Sequence, residues 1–156
     1  MDKLQKTNVI RILEQHNIAY TAHPYDTAQL DATHAADSIG VPRARLFKTL
    51  VTDTADKGHA VFLVPAEGTL DLKRAARAAS VKSVSMLPQK QLLPLTGYIH
   101  GGCSPIGMKK LFPTFVDESA AAYDRILFSA GRIGLMVEVA PADLLALTGA
   151  SYAPLT

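Results

Sequence analysis

Three short segments of this chain carry residue types that could take part in chemistry. The first is the loop Gly101-Gly102-Cys103-Ser104-Pro105-Ile106-Gly107. Two adjacent glycines permit positive φ and let a ligand approach the backbone closely. Successive N–H groups in such a loop can form a concave site for an oxyanion or a phosphate. A tight turn between two strands would use the same glycines, so the residues alone leave both interpretations open.

The second candidate is Lys48, which interrupts the apolar and β-prone segment 46–51. Alternation along a strand places Leu46, Lys48 and Leu50 on one face and Thr49 on the other. A lysine between two leucines either extends its ammonium to solvent or points into a cavity where it meets an anion. A lysine that protects an edge strand from aggregation is a common alternative, and the pattern alone favours it.

The third candidate is Ser129-Ala130-Gly131, which follows a predicted strand over 125–128. Gly131 and Gly134 flank Arg132, and this spacing predicts a hairpin turn. The alternative is a second loop that faces a ligand, with the Ser129 hydroxyl as a hydrogen-bonding group.

Other chemistry finds little support in the sequence. Cys103 is the single cysteine, so an internal disulfide and a cysteine metal cluster are excluded. It could act as a nucleophile, but a small buried loop residue is the more common role. No G-x-S-x-G motif is present. The histidines show no metal-ligand spacing, and we expect no metal and no cofactor; they are His16, His23, His34, His59 and His100.

Composition favours one globular domain over residues 1–156. Hydrophobic residues make up 48% of the chain and charged residues 19%. The net charge of +2 permits an anionic partner if the positive residues share one face, but does not by itself indicate nucleic acid. No secretory signal and no run of about 20 apolar residues is visible. We therefore expect a cytoplasmic protein with no membrane association.

The elements that must position these residues can be predicted from periodicity and capping. Thr7 is the predicted N-cap of a first helix, and Asp71 that of a third, with Leu72 on its inner face. The predicted helices are 8–17, 33–39, 71–79, 90–93 and 142–147. The predicted strands are 18–22, 46–52, 59–64, 81–86, 98–100, 114–116, 125–128 and 135–139. Polar residues 53–58 predict a hairpin between the second and third strands.

The order of these elements predicts the fold class. Strands fall in hairpin-like pairs and do not alternate strictly with helices. We therefore expect an α+β single domain, with a curved, largely antiparallel, barrel-like mixed sheet of about seven strands flanked by short helices.

Several segments together resemble a known family. They are Phe47-Lys48-Thr49-Leu50, Leu70-Asp71-Leu72-Lys73, Thr96-Gly97-Tyr98, the loop from Gly101 through Lys110, and Ser129-Ala130-Gly131-Arg132. In this order they are similar to the YbaK/EbsC family of Cys-tRNA(Pro) deacylases, over nearly the whole chain. The lysine-threonine pair and the Gly-Gly-x-Ser-Pro-x-Gly loop are the most diagnostic pieces.

The resemblance implies a free-standing editing domain related to the one inserted in bacterial prolyl-tRNA synthetases. It would act in trans on the acceptor end of mischarged Cys-tRNA(Pro), with the synthetase as a further partner. Lys48 matches the family's essential lysine, which would bind phosphate or ribose at that end. Gly101 and Gly102 match the loop whose N–H groups lie near the ester carbonyl. The expected substrate contacts are Thr49, Ser104, Lys109 and the pocket serine, Ser129.

The implied mechanism uses neither a metal nor an enzyme nucleophile. In the family, the thiolate of the substrate cysteine is thought to attack its own ester carbonyl and leave as a thiolactone. Two positions depart from the family pattern and concern amino-acid specificity: residues 29–32 lack an aromatic, and Met136 stands where polar residues are common. The alternatives are a deacylase for alanine or another small amino acid, and a module that binds tRNA or an aminoacyl nucleotide without catalysis.

Overall fold

The computed structural model describes residues 6–27 and 32–156 of the chain. Within this part, strands and helices follow one another in mixed order. The strands are β1 (Tyr20–Pro24), β2 (Phe47–Thr54), β3 (His59–Pro65), β4 (Val84–Met86), β5 (Thr114–Asp117), β6 (Ile126–Arg132), β7 (Leu135–Val139) and β8 (Ser151–Ala153). The helices are α1 (Asn8–Gln15), α2 (Ala32–Ile39), α3 (Leu72–Ala79), α4 (Leu92–Thr96) and α5 (Pro141–Thr148). Short 3₁₀ turns lie at Arg43–Arg45, Gln89–Gln91 and Glu118–Ala122.

Helix capping follows the sequence closely. The Oγ1 of Thr7 accepts a hydrogen bond from the N–H of Ile10, as an N-cap should. The carboxylate of Asp71 accepts hydrogen bonds from two N–H groups in the first turn of α3. Leu72, which we predicted on the inner face of that helix, is instead 42% exposed, because Ala75 and Ala76 form the buried face.

The hairpin of β2 and β3 is confirmed. The two strands pair antiparallel from Phe47 opposite Pro65 to Asp53 opposite His59. Along β2, Phe47 and Val51 are buried in the main core, as the predicted alternation requires. Lys48 therefore belongs to the opposite face of the strand.

The predicted α+β class is confirmed, but the predicted single barrel-like sheet is wrong. The described strands form a three-stranded antiparallel sheet in the order β1-β7-β6 and a five-stranded sheet in the order β4-β2-β3-β5-β8. The larger sheet is mixed, because β5 runs parallel to both β3 and β8. Between the two sheets the described residues form one isolated parallel bridge, Leu46 to Leu127, so no barrel closes.

Several predicted boundaries also change. Residues 98–100, predicted as a strand, form a turn after α4, in which the N–H of Tyr98 donates to the Oγ1 of Thr96. Strand β8 was not predicted, and the fourth predicted strand shortens to Val84–Met86. The predicted helix 90–93 divides into a 3₁₀ turn and α4.

The buried apolar side chains form three clusters. The main core joins β2, β3, β6 and β7 and is covered by α1 and α5. A second cluster packs α3 against the other face of the five-stranded sheet. A third joins α2 to Leu46, Leu127 and Met136 at the junction of the two sheets. None of the helices in the described ranges is long and apolar enough to cross a membrane.

Candidate active site

An open cleft of about 320 Å³ lies where the two sheets meet. The larger sheet contributes the start of β2, and the smaller sheet contributes side chains from β6 and β7. The turn after α4 forms a further wall. The lining residues are Tyr25, Phe47, Lys48, Thr49, Leu50, Ala66, Leu92, His100, Gly101, Cys103, Ser129 and Met136.

The cleft brings together the three segments that are separate candidates in the sequence. Lys48 comes from β2, Gly101 from the glycine loop and Ser129 from β6. Lys48 is half-buried, and its ammonium makes no hydrogen bond or ion pair with any other residue in the described ranges. A cation without a protein partner at the edge of a cleft is available to an anionic ligand.

Thr49 also lines the cleft, next to Lys48. Its Oγ1 is buried and has no hydrogen-bond partner among the described residues. An unsatisfied buried hydroxyl costs about 1–3 kcal/mol. A ligand or water molecule in the cleft would remove that cost, so Thr49 is a candidate contact for the substrate.

The two loop glycines have different surroundings. Gly101 is exposed with φ +88°, and its N–H has no partner within the described part of the chain. Gly102 is buried, and its N–H donates to the carbonyl of Ile99 at 3.0 Å. A Cβ at Gly102 would lie 3.1 Å from the Cα of Arg132, so the loop needs glycine there to pack against the β6–β7 turn. The N–H of Gly101 is therefore the better placed donor for a ligand.

Ser104 and Lys109 lie outside the cleft lining. The Oγ of Ser104 is buried and accepts a hydrogen bond from the N–H of Ile106 at 3.4 Å, which helps to hold the loop. The ammonium of Lys109 donates to the carbonyl of Pro94 in α4 at 3.3 Å. The structure thus gathers Lys48, Thr49, Gly101 and Ser129 in the cleft, whereas Gly102, Ser104 and Lys109 lie outside its lining.

Ser129 lies within β6, so the predicted hairpin turn is present but starts later than residue 129, at residues 133–134 between β6 and β7. The strand continues to Arg132, and the register shifts between Ser129 and Arg132 as in a β-bulge. The Oγ of Ser129 accepts a hydrogen bond from the N–H of Gly131 at 3.1 Å. The bulge accommodates the glycine that suggested a turn and leaves Ser129 on the cleft wall.

Met136, one of the two departures noted in the sequence, pairs with Ser129 across the sheet and lines the cleft. Its thioether makes this side of the cleft apolar. The other departure is the segment 29–32, which lacks an aromatic residue, and positions 29–31 of it lie outside the described residues.

Several lining residues are not among the predicted site residues. His100 was considered only as a metal ligand, although its position directly before Gly101 could have marked it. Tyr25 follows β1, and Leu92 begins α4; no local signal distinguishes either from an ordinary surface or core residue. Within the described residues, no group of three or more His, Cys, Asp or Glu could hold a metal ion.

Cys103 is buried beside the cleft, and burial raises the pKa of its thiol to about 12. At neutral pH the side chain is therefore a thiol, whereas nucleophilic attack needs a thiolate. Burial likewise raises the pKa of Tyr98 to about 12, and its hydroxyl donates to the carbonyl of Ile106. These groups act as parts of the loop structure.

Solved structures share this fold. One, titled "Crystal structure of a putative trans-editing enzyme for prolyl tRNA synthetase", superposes with a TM-score of 0.83 at 26% identity and covers 96% of this chain and 98% of that chain. The structure of a hypothetical protein, APE2540, has a TM-score of 0.86 at 21% identity over 94% of this chain and 97% of that chain, which shows the fold alone.

Sequence comparison is more specific. The Enterococcus faecalis protein named "Putative Cys-tRNA(Pro)/Cys-tRNA(Cys) deacylase EbsC" is 45% identical over 97% of this chain and 94% of its own length. A family model described as the aminoacyl-tRNA editing domain matches residues 27–147, which include every residue of the cleft except Tyr25. The chain belongs to the family of aminoacyl-tRNA editing domains.

Proposed function

We propose that this protein is an aminoacyl-tRNA deacylase that removes cysteine from Cys-tRNA(Pro) in trans. The observation that carries the proposal is the shared cleft, in which the glycine loop and the ammonium of Lys48, which has no partner among the described residues, face one ligand-sized space. The name of the Enterococcus relative supports cysteine as the amino acid and tRNA(Pro) as a carrier.

Lys48 has the chemistry to hold the RNA end of the substrate. An ammonium is a compact, mobile point charge that binds phosphate without demanding a fixed planar geometry. Its half-buried position lowers the effective dielectric relative to bulk water, which strengthens the attraction. We assign Lys48 to the terminal phosphate or ribose, where it would hold the ester in the cleft.

The glycine loop would stabilise charge on the ester carbonyl. An N–H aimed at a developing oxyanion is worth about 10²–10³ in rate. The N–H of Gly101 is unpaired within the described part, whereas that of Gly102 is already used in the turn. Gly101 is therefore the proposed oxyanion donor, and Gly102 keeps the loop in place.

Thr49 and Ser129 would position the amino acid. The buried Oγ1 of Thr49 needs a partner, and the Oγ of Ser129 has accepted one hydrogen bond but can still donate one. Together they could hold the α-amino group and the carbonyl in a reactive orientation. Positioning of this kind can lower a barrier by several kcal/mol. Because an aminoacyl ester is already reactive, this contribution can be enough for catalysis.

The proposed chemistry uses the thiol of the substrate. The sulfur of the bound cysteine forms a bond to its own carbonyl carbon, and the bond between that carbon and the 3′ or 2′ oxygen of the tRNA breaks. The thiol proton ends on the ribose hydroxyl, and the product is a cysteine thiolactone, which water then opens. Cys103 cannot replace the substrate thiol in this role, since burial keeps it protonated.

Such a reaction explains why a separate enzyme is useful. Cysteine and proline are similar in size, and small differences in apolar volume give too little discrimination in a synthetase pocket. A second site whose reaction requires the thiol of the substrate cannot act on proline, which has no thiol. A partnership with prolyl-tRNA synthetase in the cytoplasm, where charging occurs, would deliver the substrate.

One observation favours alanine as a second candidate amino acid. The cleft presents Met136, Leu92 and Phe47 to the bound side chain, and no carboxylate of the described residues lines it. Such walls suit a small apolar side chain. Hydrolysis of an alanyl ester would need water as the nucleophile, because the substrate then has no thiol.

Deacylation of a panel of tRNA(Pro) charged with cysteine, alanine or proline tests these assignments. We expect rapid loss of cysteine, loss of alanine at least tenfold slower, and retention of proline. Equal rates for cysteine and alanine would favour the second candidate. Tight tRNA binding with no loss of any ester over hours would contradict catalysis altogether and identify a binding module.

A further inference from the structure

The charges of this chain are distributed unevenly. Residues 72–116, here called the acid-free segment, contain seven lysines and arginines and no aspartate or glutamate. The rest of the chain holds the remaining nine basic residues and all 14 acidic residues. All seven basic residues of the segment are exposed: Lys73, Arg74, Arg77, Lys82, Lys90, Lys109 and Lys110. The net charge of +2 is therefore the sum of a strongly positive segment and a negative remainder of the chain.

The middle of the acid-free segment forms one side of the cleft. Residues 89–101, here called the α4 lip, comprise the 3₁₀ turn Gln89–Gln91, helix α4 and the turn that follows it. Leu92, His100 and Gly101 of the lip line the cleft directly. A ligand that enters the cleft from this side must pass over the lip.

Two ammonium groups belong to the lip or contact it. Lys90 is exposed, two residues before Leu92 of the cleft wall. Lys109 reaches back onto α4, where its Nζ donates to the carbonyl of Pro94 and its stem lies against Gly97. Lys90 is thus part of the lip and Lys109 is held against it, and neither ammonium forms an ion pair with another residue of the described ranges.

The lip also exposes apolar side chains. Leu93 is 52% exposed and Ile99 is 51% exposed, although large apolar residues prefer burial. A surface that combines cations with apolar side chains suits single-stranded nucleic acid, whose phosphates meet the charges and whose bases present flat apolar faces.

We propose that the α4 lip is the surface on which the single-stranded 3′ end of the RNA lies as it enters the cleft. Lys90 and Lys109 contact its phosphates, and Leu93 and Ile99 contact the faces of its bases. This inference rests on the proposed function, because it takes the aminoacylated RNA end as the occupant of the cleft. RNA is favoured over an acidic protein because the lip is continuous with the cleft that receives the RNA terminus.

The test compares two substrates in the Lys90→Gln/Lys109→Gln double variant. Cys-tRNA(Pro) contains the whole 3′ strand, whereas the cysteinyl ester of adenosine contains only the terminal nucleoside. We expect KM for the tRNA to rise about tenfold, with kcat and the reaction of the adenosine ester unchanged. Loss of two phosphate contacts to a single strand should also reduce the salt dependence of log KM by about 1.4.

A matched control removes two charges elsewhere. Lys6→Gln/Arg11→Gln neutralises two basic residues on or beside α1, outside both the acid-free segment and the cleft lining. This variant should keep the wild-type KM and salt dependence. In Leu93→Ser/Ile99→Ser, KM for the tRNA should rise while the salt dependence stays at its wild-type value.

Three outcomes would overturn the inference. An unchanged KM for tRNA in the Lys90→Gln/Lys109→Gln variant would show that the lip does not contact RNA. An equal loss on both substrates would indicate a damaged cleft. A defect that appears only when prolyl-tRNA synthetase is added would identify the lip as a protein-binding surface. If the wild type deacylates neither substrate, the proposed function fails, and the affinity of the same variants for uncharged tRNA still tests the lip.

Discussion

The guanidinium of Arg45 donates a hydrogen bond to the carboxylate of Glu138 at 2.7 Å, which joins the 3₁₀ turn before β2 to strand β7. The Nε of Arg45 also donates to the carbonyl of Arg125 at 3.0 Å, and the next residue, Leu46, forms the bridge to Leu127. The start of β2 is thereby fastened to the three-stranded sheet, three residues before Lys48. This junction sets the separation between Lys48 on one sheet and Ser129 on the other.

Loss of the Arg45–Glu138 pair should therefore lower both stability and activity. In Arg45→Met, Glu138 loses a charged partner in a site that is mostly buried, and we expect a loss of about 1–3 kcal/mol in the free energy of unfolding. Deacylation at saturating substrate should also fall. The comparison variant is Arg43→Met, whose pair with Asp37 is about half exposed and should be worth less than about 1 kcal/mol. Urea denaturation that finds the two variants equal would contradict this account of the junction.

The pH dependence of stability provides a second test of the same junction. Burial acts to raise the pKa of Glu138, but hydrogen bonds from His23 and Arg45 outweigh it, so the pKa is lowered in the folded protein. A lowered pKa stabilises the fold above the carboxyl's unfolded pKa, and the contribution is lost as pH falls through the folded pKa. We expect Glu138→Gln to be less stable than wild type at pH 7, and the difference to shrink as pH falls below about 4.3 and through the lowered pKa of the folded protein. If the denaturation midpoints of wild type and Glu138→Gln differed equally at neutral and at acidic pH, the stabilising role of the ionised Glu138 carboxylate would be contradicted.

Local structure was largely predictable because it depends on neighbouring residues. Thr7 and Asp71 cap their helices, and the polar turn before His59 closes a hairpin. The two-sheet arrangement was not predictable, because alternation in β5 does not reveal that it pairs parallel with β3 and β8. Strand β8 has only three residues, too few for a periodic signal.

The site was partly predictable for a related reason. Lys48 and the glycine loop stand out locally, since a lysine in an apolar strand and paired glycines are both unusual. Ser129 was mistaken for a turn residue, because a β-bulge and a hairpin turn both accept Gly131. Ser104 belongs to the motif and was therefore predicted as a substrate contact. Its buried hydroxyl instead accepts a hydrogen bond within the loop, which the sequence does not reveal. That Lys48 and Gly101 line one cleft depends on contacts far apart in sequence.

Cys103→Ser should remain active. Burial raises the pKa of the Cys103 thiol to about 12, so almost none of it is ionised at pH 7.5, and the reacting thiol belongs to the substrate. We expect kcat/KM for Cys-tRNA(Pro) within about threefold of wild type, which corresponds to about 0.6 kcal/mol in the barrier. A loss beyond a hundredfold in a correctly folded variant would identify Cys103 as a nucleophile and contradict the mechanism.

A bulky residue at Gly101 should reduce activity by about 10²–10³, since a side chain there displaces the oxyanion donor. Gly101→Val is informative when set beside Gly40→Val, because both glycines have φ +88°, a backbone conformation that disfavours any side chain. Gly40 lies outside the cleft lining, and a Cβ there would contact no atom of the described residues within 4 Å. Single-turnover deacylation should fall only in Gly101→Val. Similar rates in the two variants would remove the glycine loop from the mechanism.

The most direct test of the cleft as the active site is single-turnover deacylation of Cys-tRNA(Pro) by Lys48→Ala. The control is Lys57→Asn, which removes a lysine from the far end of the same hairpin at a position with φ 66°, a conformation that asparagine tolerates. We predict that Lys48→Ala loses more than about 10³ in rate, more than loss of a single oxyanion donor costs, while the control keeps the wild-type rate. A folded Lys48→Ala protein that clears cysteine from tRNA(Pro) at a near-normal rate would contradict the assignment of this cleft as the active site.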